Sequence, residues 1–224
     1  MVQNTHADKF YYSLRSVADF KGRIVDNSIT GLQMLVNEQD VHFRLIGEFN
    51  AYNLLAVYAA AICLGEDRLD VLQTLSNLTG AEGRFDYTVS PKQRIIGIVD
   101  YAHTPDALES ALQAVRAHLS GKLVCVFGCG GNRDQGKRPQ MGRAAELLAD
   151  DVFITSDNPR DESANQIIED VVAGFEMPNK AKIEPDRAAA IQQAIANCKP
   201  GDVILVAGKG HETWQEINGR KVPF

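Results

Sequence analysis

Phe127-Gly128-Cys129-Gly130-Gly131-Asn132-Arg133-Asp134, then Gly136-Lys137-Arg138-Pro139, then Thr155-Ser156-Asp157-Asn158-Pro159-Arg160 is the stretch from which the fold is read. The glycine turn and the Asp157 turn each follow a short apolar run, Lys122 to Phe127 and Asp151 to Thr155, that reads as a buried strand. In a parallel sheet both turns surface at one edge, beyond the carboxyl ends of the strands, where open α/β sheets bind their ligands. The expected guest is a small zwitterion or an anion.

Outward from this stretch the pattern repeats. Strand Arg94 to Val99, helix Pro105 to His118, the strand to Phe127, helix Met141 to Leu148, the strand to Thr155 and helix Ala164 to Phe175 come first. A short strand Lys182 to Ile183, helix Arg187 to Asn197 and strand Asp202 to Ala207 complete the series. Such alternation predicts an α/β fold, a Rossmann-like doubly wound and mainly parallel sheet. Thr104-Pro105 supplies a helix start, with Thr as N-cap and Pro in the first helical position. The long strands end in polar turns: Asp100 to His103, Gly128 to Arg138, Asp157 to Arg160 and Gly208-Lys209-Gly210-His211-Glu212.

Before this series the chain has another character. From Ile29 an alternating pattern through Leu32, Met34 and Val36, a polar turn at Asn37 to Asp40, then Val41, Phe43 and Leu45 predict a hairpin with His42 on its solvent face. Gly47-Glu48-Phe49-Asn50 opens an apolar helix ending at Gly65, with Asn50 as candidate N-cap. A second helix, Asp67 to Leu78, carries Leu69, Leu72, Leu75 and Leu78 on its inner face. Two glycines at 80 and 83 break the pattern, which places a domain boundary near Thr88, with α+β residues 1–87 before it and the α/β domain 88–224 after it.

Composition narrows the functions. Net charge of -6 over 224 residues argues against a nucleic-acid protein, so Arg133, Lys137, Arg138 and Arg143 form a local basic cluster beside the glycine turn. Cys63, Cys125, Cys129 and Cys198 have neither Cys-x-x-Cys spacing nor the His partners of a zinc site, which fits reduced thiols. Cys129 has no neighbouring His to make it a nucleophile. Met1 to Tyr12 is polar, and no apolar run is long enough to span a bilayer. A soluble, cytoplasmic protein without membrane or nucleic-acid partners is expected.

The turns suggest their own chemistry. Arg133 stands where a dinucleotide fingerprint needs its last glycine, which weakens a Rossmann cofactor reading. Arg133 and Arg160 offer guanidinium forks for carboxylates or phosphates, and Glu212 offers a partner for an ammonium group. Asn158 can bridge the two, and Pro159 stiffens their turn. That set is complementary to an amino acid. Asp100 at a strand end suits ribose hydroxyls, whereas Arg84 fits a nucleotide contact and a linker salt bridge equally. His103 and His211 are acid–base candidates that also fit simple loop packing.

Taken in order, Asp100-Tyr101-Ala102-His103-Thr104-Pro105-Asp106, Phe127 to Gly131, Gly136 to Pro139, Asp157 to Arg160 and Gly208 to Glu212 resemble the Mur ligases of peptidoglycan synthesis, in their diaminopimelate-adding branch. The resemblance implies a diaminopimelate site of Arg133, Asp157, Asn158, Pro159, Arg160, Gly208 and Glu212, with Asn50, Arg84 and Asp100 near ATP. It implies amide ligation driven by ATP and Mg²⁺, with meso-diaminopimelate and a UDP-N-acetylmuramoyl dipeptide as substrates and a monomer at full length. Asp157 to Arg160 is its most specific element, because the distal carboxylate that distinguishes diaminopimelate from lysine calls for a cation.

No Gly-x-x-x-x-Gly-Lys-[Ser/Thr] phosphate loop occurs, and no metal ligands are expected in this chain. By the resemblance the chain corresponds to the back part of the central, ATP-binding domain plus most of the C-terminal domain, short of its final helix, and is expected to be inactive alone. Two other readings stay open: an amino-acid-binding module that needs no ATP, and a folylpolyglutamate synthetase-like ligase.

Overall fold

The computed structural model describes residues 6–28, 31–119 and 121–223. Ile29, where the alternating pattern begins in the sequence, and the chain ends at Met1 to Thr5 and Phe224 lie outside the described residues. The chain forms two compact units, Met1–Thr79 and Gly80–Phe224. The division falls ahead of Thr88 because Thr88 is itself in a strand that pairs with the sheet of the second unit.

In the first unit a short β1 (Tyr12–Ser13) runs parallel to β2 (Phe20–Ser28). β2, β3 (Gly31–Val36) and β4 (Gln39–Phe43) follow one another antiparallel. Asn37 and Glu38 both have positive φ, 44° and 72°, the two-residue turn whose twist matches that of the strands it joins. Leu32, Met34, Val36 and Phe43 are buried on one face, as period-two alternation requires, and His42 is exposed on the other.

That apolar face packs against α1 (Glu48–Cys63) through Ala51, Leu54, Leu55 and Tyr58, and against α2 (Arg68–Ser76) through Leu72 and Leu75. Leu69 and Leu78 are exposed: three-residue spacing drifts off a helical face, so four leucines cannot share one side. Asp67 caps α2 by accepting from the backbone amides of Leu69 and Asp70. The N-cap of α1 is Gly47, not Asn50. Asn50 lies inside the first turn, where its Nδ2 donates to the Ile46 carbonyl at 2.8 Å.

The second unit is built on a six-stranded sheet. Its strands are β5 (Asp86–Val89), β6 (Ile96–Asp100), β7 (Leu123–Phe127), β8 (Asp151–Ile154), β9 (Ala181–Ile183) and β10 (Val203–Ala207). Their order is β5-β6-β10-β7-β8-β9, parallel except at the β5 edge. Crossovers run through α3 (Pro105–Arg116), α4 (Lys137–Leu148), α5 (Ala164–Val172) and α6 (Arg187–Asn197). The doubly wound expectation is met.

β10 enters last and fills the gap between β6 and β7. Three forward crossovers followed by one return place α6 on the face opposite α3 to α5. Val124, Val126, Phe153 and Ile204 pack against Ala190 and Ala194 of α6. Leu123 and Cys125, the alternate residues of β7, therefore face the other layer, and all five residues of this strand are buried. α3 is capped as its sequence predicts, with Thr104 Oγ1 accepting from the Ala107 amide at 3.3 Å and Pro105 in the first turn.

α4 begins at Lys137, a turn earlier than expected. Pro139 fits there because the first turn of a helix has no carbonyl for its missing N–H to reach. Gly136 to Pro139 is thus the start of a helix rather than a loop. A hairpin of β11 (Trp214–Ile217) and β12 (Arg220–Pro223) closes the unit.

Candidate functional site

Sheet order decides which turns meet. Because β10 lies between β6 and β7, the turn from Gly208 to Glu212 emerges between Tyr101–His103 and the glycine turn, with the Asp157 turn next outward after β8. This is the crevice at the switch point where open α/β sheets take ligands.

The glycine turn and the Asp157 turn are in direct backbone contact. The amide of Gly131 donates to the Asn158 carbonyl at 2.8 Å, and a Cβ on Gly131 would collide with the Pro159 carbonyl. Gly208, at φ 107°, holds a left-handed backbone in which its neighbour is the Asp157 carboxylate. Small residues in these turns let two loops close on one another before any ligand arrives.

At the centre is Lys209, only 2% exposed. Its ammonium donates to Asn158 Oδ1 at 3.1 Å, Glu212 Oε2 at 2.9 Å and the Trp214 carbonyl at 2.8 Å, and lies 3.4 Å from Asp157 Oδ1. Asn158 passes the order on, donating from Nδ2 to Glu212 Oε2 at 3.1 Å. Burial by itself would raise the Glu212 carboxyl, but the Lys209 ammonium and the Asn158 amide overcome it and hold the carboxyl below its ordinary value. Glu212 is therefore a fixed anion at neutral pH. Tyr101 completes its shell through a 3.4 Å hydroxyl contact.

The positive end is Arg160, which has a positive φ of 51°. Its Nη1 donates to the Gly131 carbonyl at 2.8 Å and its Nε to Glu216 Oε2 at 3.1 Å. Arg133 is exposed at the tip of the glycine turn. Arg160 stands on the turn that also carries Asp157 and Asn158, and Arg133 on the glycine turn bonded to it.

The basic cluster read from sequence separates into two kinds of residue. Arg138 is fully buried and structural: Nη1 donates to Asp170 Oδ2 at 2.7 Å, and Nη2 donates to Glu162 Oε2 at 2.8 Å and to the Gly130 carbonyl at 3.3 Å. Arg143 pairs with Glu146 and Glu176. Only Arg133 and Lys137 face outward from the glycine turn, and the Lys137 ammonium donates to the His103 carbonyl at 2.6 Å. Cys129 is buried, with its thiol pushed up to about 12 by burial, so it is no nucleophile.

Around Tyr101 lies a second group. The Arg84 guanidinium sits 4.8 Å above the Tyr101 ring, His211 stacks on it at 6.0 Å, and His103 meets it edge-on at 5.0 Å. His103 Nδ1 also pairs with the Tyr101 carbonyl at 2.9 Å, so both histidines have packing roles here. The recorded contact of Arg84 is this aromatic ring rather than the acidic partner of a linker salt bridge. Asp100 accepts the Phe85 amide on Oδ2 at 2.8 Å and the Ala102 amide on Oδ1 at 2.7 Å. Each oxygen keeps a second lone pair suited to a hydroxyl donor such as a ribose. Asn50 belongs to the first unit.

Three residues that organise this site escaped the sequence reading: Lys209, Glu216 and Arg187. Arg187, 2% exposed at the start of α6, donates to the carbonyls of Ser156 at 3.4 Å and Ala207 at 2.6 Å. Those are the residues just before Asp157 and Gly208. No group of three or more His, Cys, Asp and Glu side chains able to hold a metal ion is present among the described residues. No helix among them is long and apolar enough to cross a membrane.

A switch-point site with fixed charges of both signs on a six-stranded sheet is matched, over residues 83–210, by the family model described as Mur ligase, glutamate ligase domain. The chain belongs to the Mur ligase family. Among its relatives is the UDP-N-acetylmuramoyl-L-alanyl-D-glutamate--2,6-diaminopimelate ligase of Cytophaga hutchinsonii, 50% identical over 228 residues that take in 100% of this chain and 46% of that one. The ligase of the same name from Parabacteroides distasonis is also 50% identical, over 100% of this chain and 47% of its own length. A solved structure of a ligase with that name superposes with a TM-score of 0.65 at 39% identity, covering 96% of this chain and 45% of that one. The chain thus spans about half the length of the relatives it matches.

Proposed function

We propose that this chain carries the amino-acid-binding part of an ATP-dependent ligase that adds meso-diaminopimelate to UDP-N-acetylmuramoyl-L-alanyl-D-glutamate in the cytoplasm. The observation that carries the reading is one turn that presents Arg160 while its Asn158 holds Glu212 at 3.1 Å, in a chain half identical to enzymes named for that reaction. Arg160 and the exposed Arg133 would take the carboxylate that lysine lacks. Glu212 and Asp157 would take an ammonium group, and Asn158, Pro159 and Gly208 would hold the loops at the spacing of one amino acid.

Two loops already closed on each other cost little further ordering when substrate binds, which favours a fixed orientation of the attacking amine. Asp100 and Arg84 would border the nucleotide, and Asn50 is a further nucleotide-binding candidate. ATP, when bound, activates the acceptor carboxylate. No cluster among the described residues fits a Mg²⁺ site, so no metal ligand is assigned here and no step is drawn through the ion. His103 and His211 are left as packing groups.

Calorimetric titration tests the reading. The chain should bind meso-diaminopimelate in preference to L-lysine, and Arg160→Met should abolish the preference. Equal affinity for the two amino acids in a folded sample overturns it. Binding of L-glutamate more tightly than either would point instead to a glutamate-adding ligase.

A further inference from the structure

We propose that Glu216, on β11, is a positioning residue that sets the selectivity of this site for an amino acid with a distal carboxylate, by aiming the Arg160 guanidinium. The inference rests on the amino-acid reading given above. Arg160 has a backbone conformation that long side chains rarely adopt, and the hairpin holds it there. Its amide donates to the Glu216 carbonyl at 3.0 Å, its carbonyl accepts from Asn218 at 2.8 Å, and it forms a parallel bridge with Ile217.

The side chain is held at two further points, Nε by Glu216 and Nη1 by the Gly131 carbonyl. A guanidinium is a rigid plane with five donors, so two fixed contacts fix its orientation. Nη2 has no partner among the described residues, which leaves an Nη1–Nη2 edge that can meet a carboxylate with two parallel bonds. The Glu216 amide also donates to Asn158 Oδ1 at 2.9 Å, which turns the Asn158 Nδ2 toward Glu212. One residue thus touches both the carboxylate-reading and the ammonium-reading groups. The Arg160 and Glu216 side chains are 20% and 32% exposed, so solvent weakens their attraction and direction is the larger contribution.

The test is a titration of the chain and its Glu216→Ala and Glu216→Gln variants with meso-diaminopimelate and with L-lysine, each also in an Arg160→Met background. Glu216→Ala should lower the preference for diaminopimelate about tenfold, the scale of one hydrogen bond to a charged group. Lysine affinity should stay unchanged. Glu216→Gln, whose amide oxygen still accepts from Nε, should keep the preference, and Glu216→Ala should cost nothing further once Arg160 is methionine. Glu216→Met, which keeps the bulk of the strand, repeats the comparison if the alanine variant melts.

An undiminished preference in Glu216→Ala overturns the inference. So does an equal loss in Glu216→Gln, or a parallel loss of lysine affinity, which would mean general damage to the hairpin. No preference in the unsubstituted chain removes the amino-acid reading itself, an outcome distinct from the others.

Discussion

Replacing Arg138 by methionine should destabilise the second unit through lost ion pairing rather than lost packing, and pH separates the two. The guanidinium is fully buried, yet its partners Glu162 and Asp170 keep 23% and 32% of their side chains exposed. Removing one member of a buried pair costs about 3–5 kcal/mol, and the partly solvated carboxylates place this case near about 3 kcal/mol. Methionine fills most of the vacated volume, so a cavity adds little. For a unit of this size the melting point should fall by roughly 6–12 °C. Trp214, the single tryptophan, lies in the second unit and reports its unfolding by fluorescence. The Asn132 amide and then Arg138 hold the Glu162 carboxyl below its ordinary value, while Arg138 and then Gln166 do so for Asp170. Carboxyls depressed by folding contribute stability above their unfolded values, about 4, and lose it as pH falls through the lower folded values. The gap between the two proteins should therefore be full at pH 7 and narrow below about pH 4. A gap of equal size at pH 7 and pH 3, or a melting point lowered by less than about 2 °C at neutral pH, would refute this account.

Thr104→Ala removes the side-chain acceptor at the start of α3 and should cost about 1 kcal/mol, read as a lower melting point by the same Trp214 signal. At pH 8 an alkylating reagent should modify exposed Cys63 quickly and buried Cys129 only on unfolding, a contrast that peptide mass spectrometry reads directly. Because Lys209 and Asn158 outweigh burial and keep Glu212 ionised, diaminopimelate affinity should be the same at pH 7 and pH 5 and weaken only below about pH 4. Glu212→Gln should lower that affinity about tenfold at pH 7, and a wild-type decline already complete at pH 5 would show that another group governs binding.

What could be read from the chain, and what could not, follows from where burial imposes a period. β7 is buried on both faces and announces itself as an apolar run, and α6 runs between the limits its sequence sets, Arg187 and Asn197. β5 and β12 are exposed at every residue, so no alternation marks them, and they exist because β6 and β11 offer an edge to pair with. That blind spot reached the site. Asp157 to Arg160 and Gly208 to Glu212 could be placed together because each follows a legible strand, but Glu216 sits on β11, half-buried without alternation and paired only with the fully exposed β12. Lys209, between two glycines, reads as part of a flexible turn, and only the converging carboxylates of Asp157 and Glu212 explain its burial. Arg138 misled for the opposite reason. Clustered with other cations beside a glycine turn it looks like ligand-binding charge, whereas Glu162 and Asp170, distant in sequence, turn it inward. In this fold, then, the residues proposed to meet a ligand are set by strand ends and can be read locally, while those proposed to aim them depend on pairings across the sheet edge and cannot. Selectivity should therefore be tunable from the β11–β12 hairpin without altering any residue of the motif proposed to read the carboxylate.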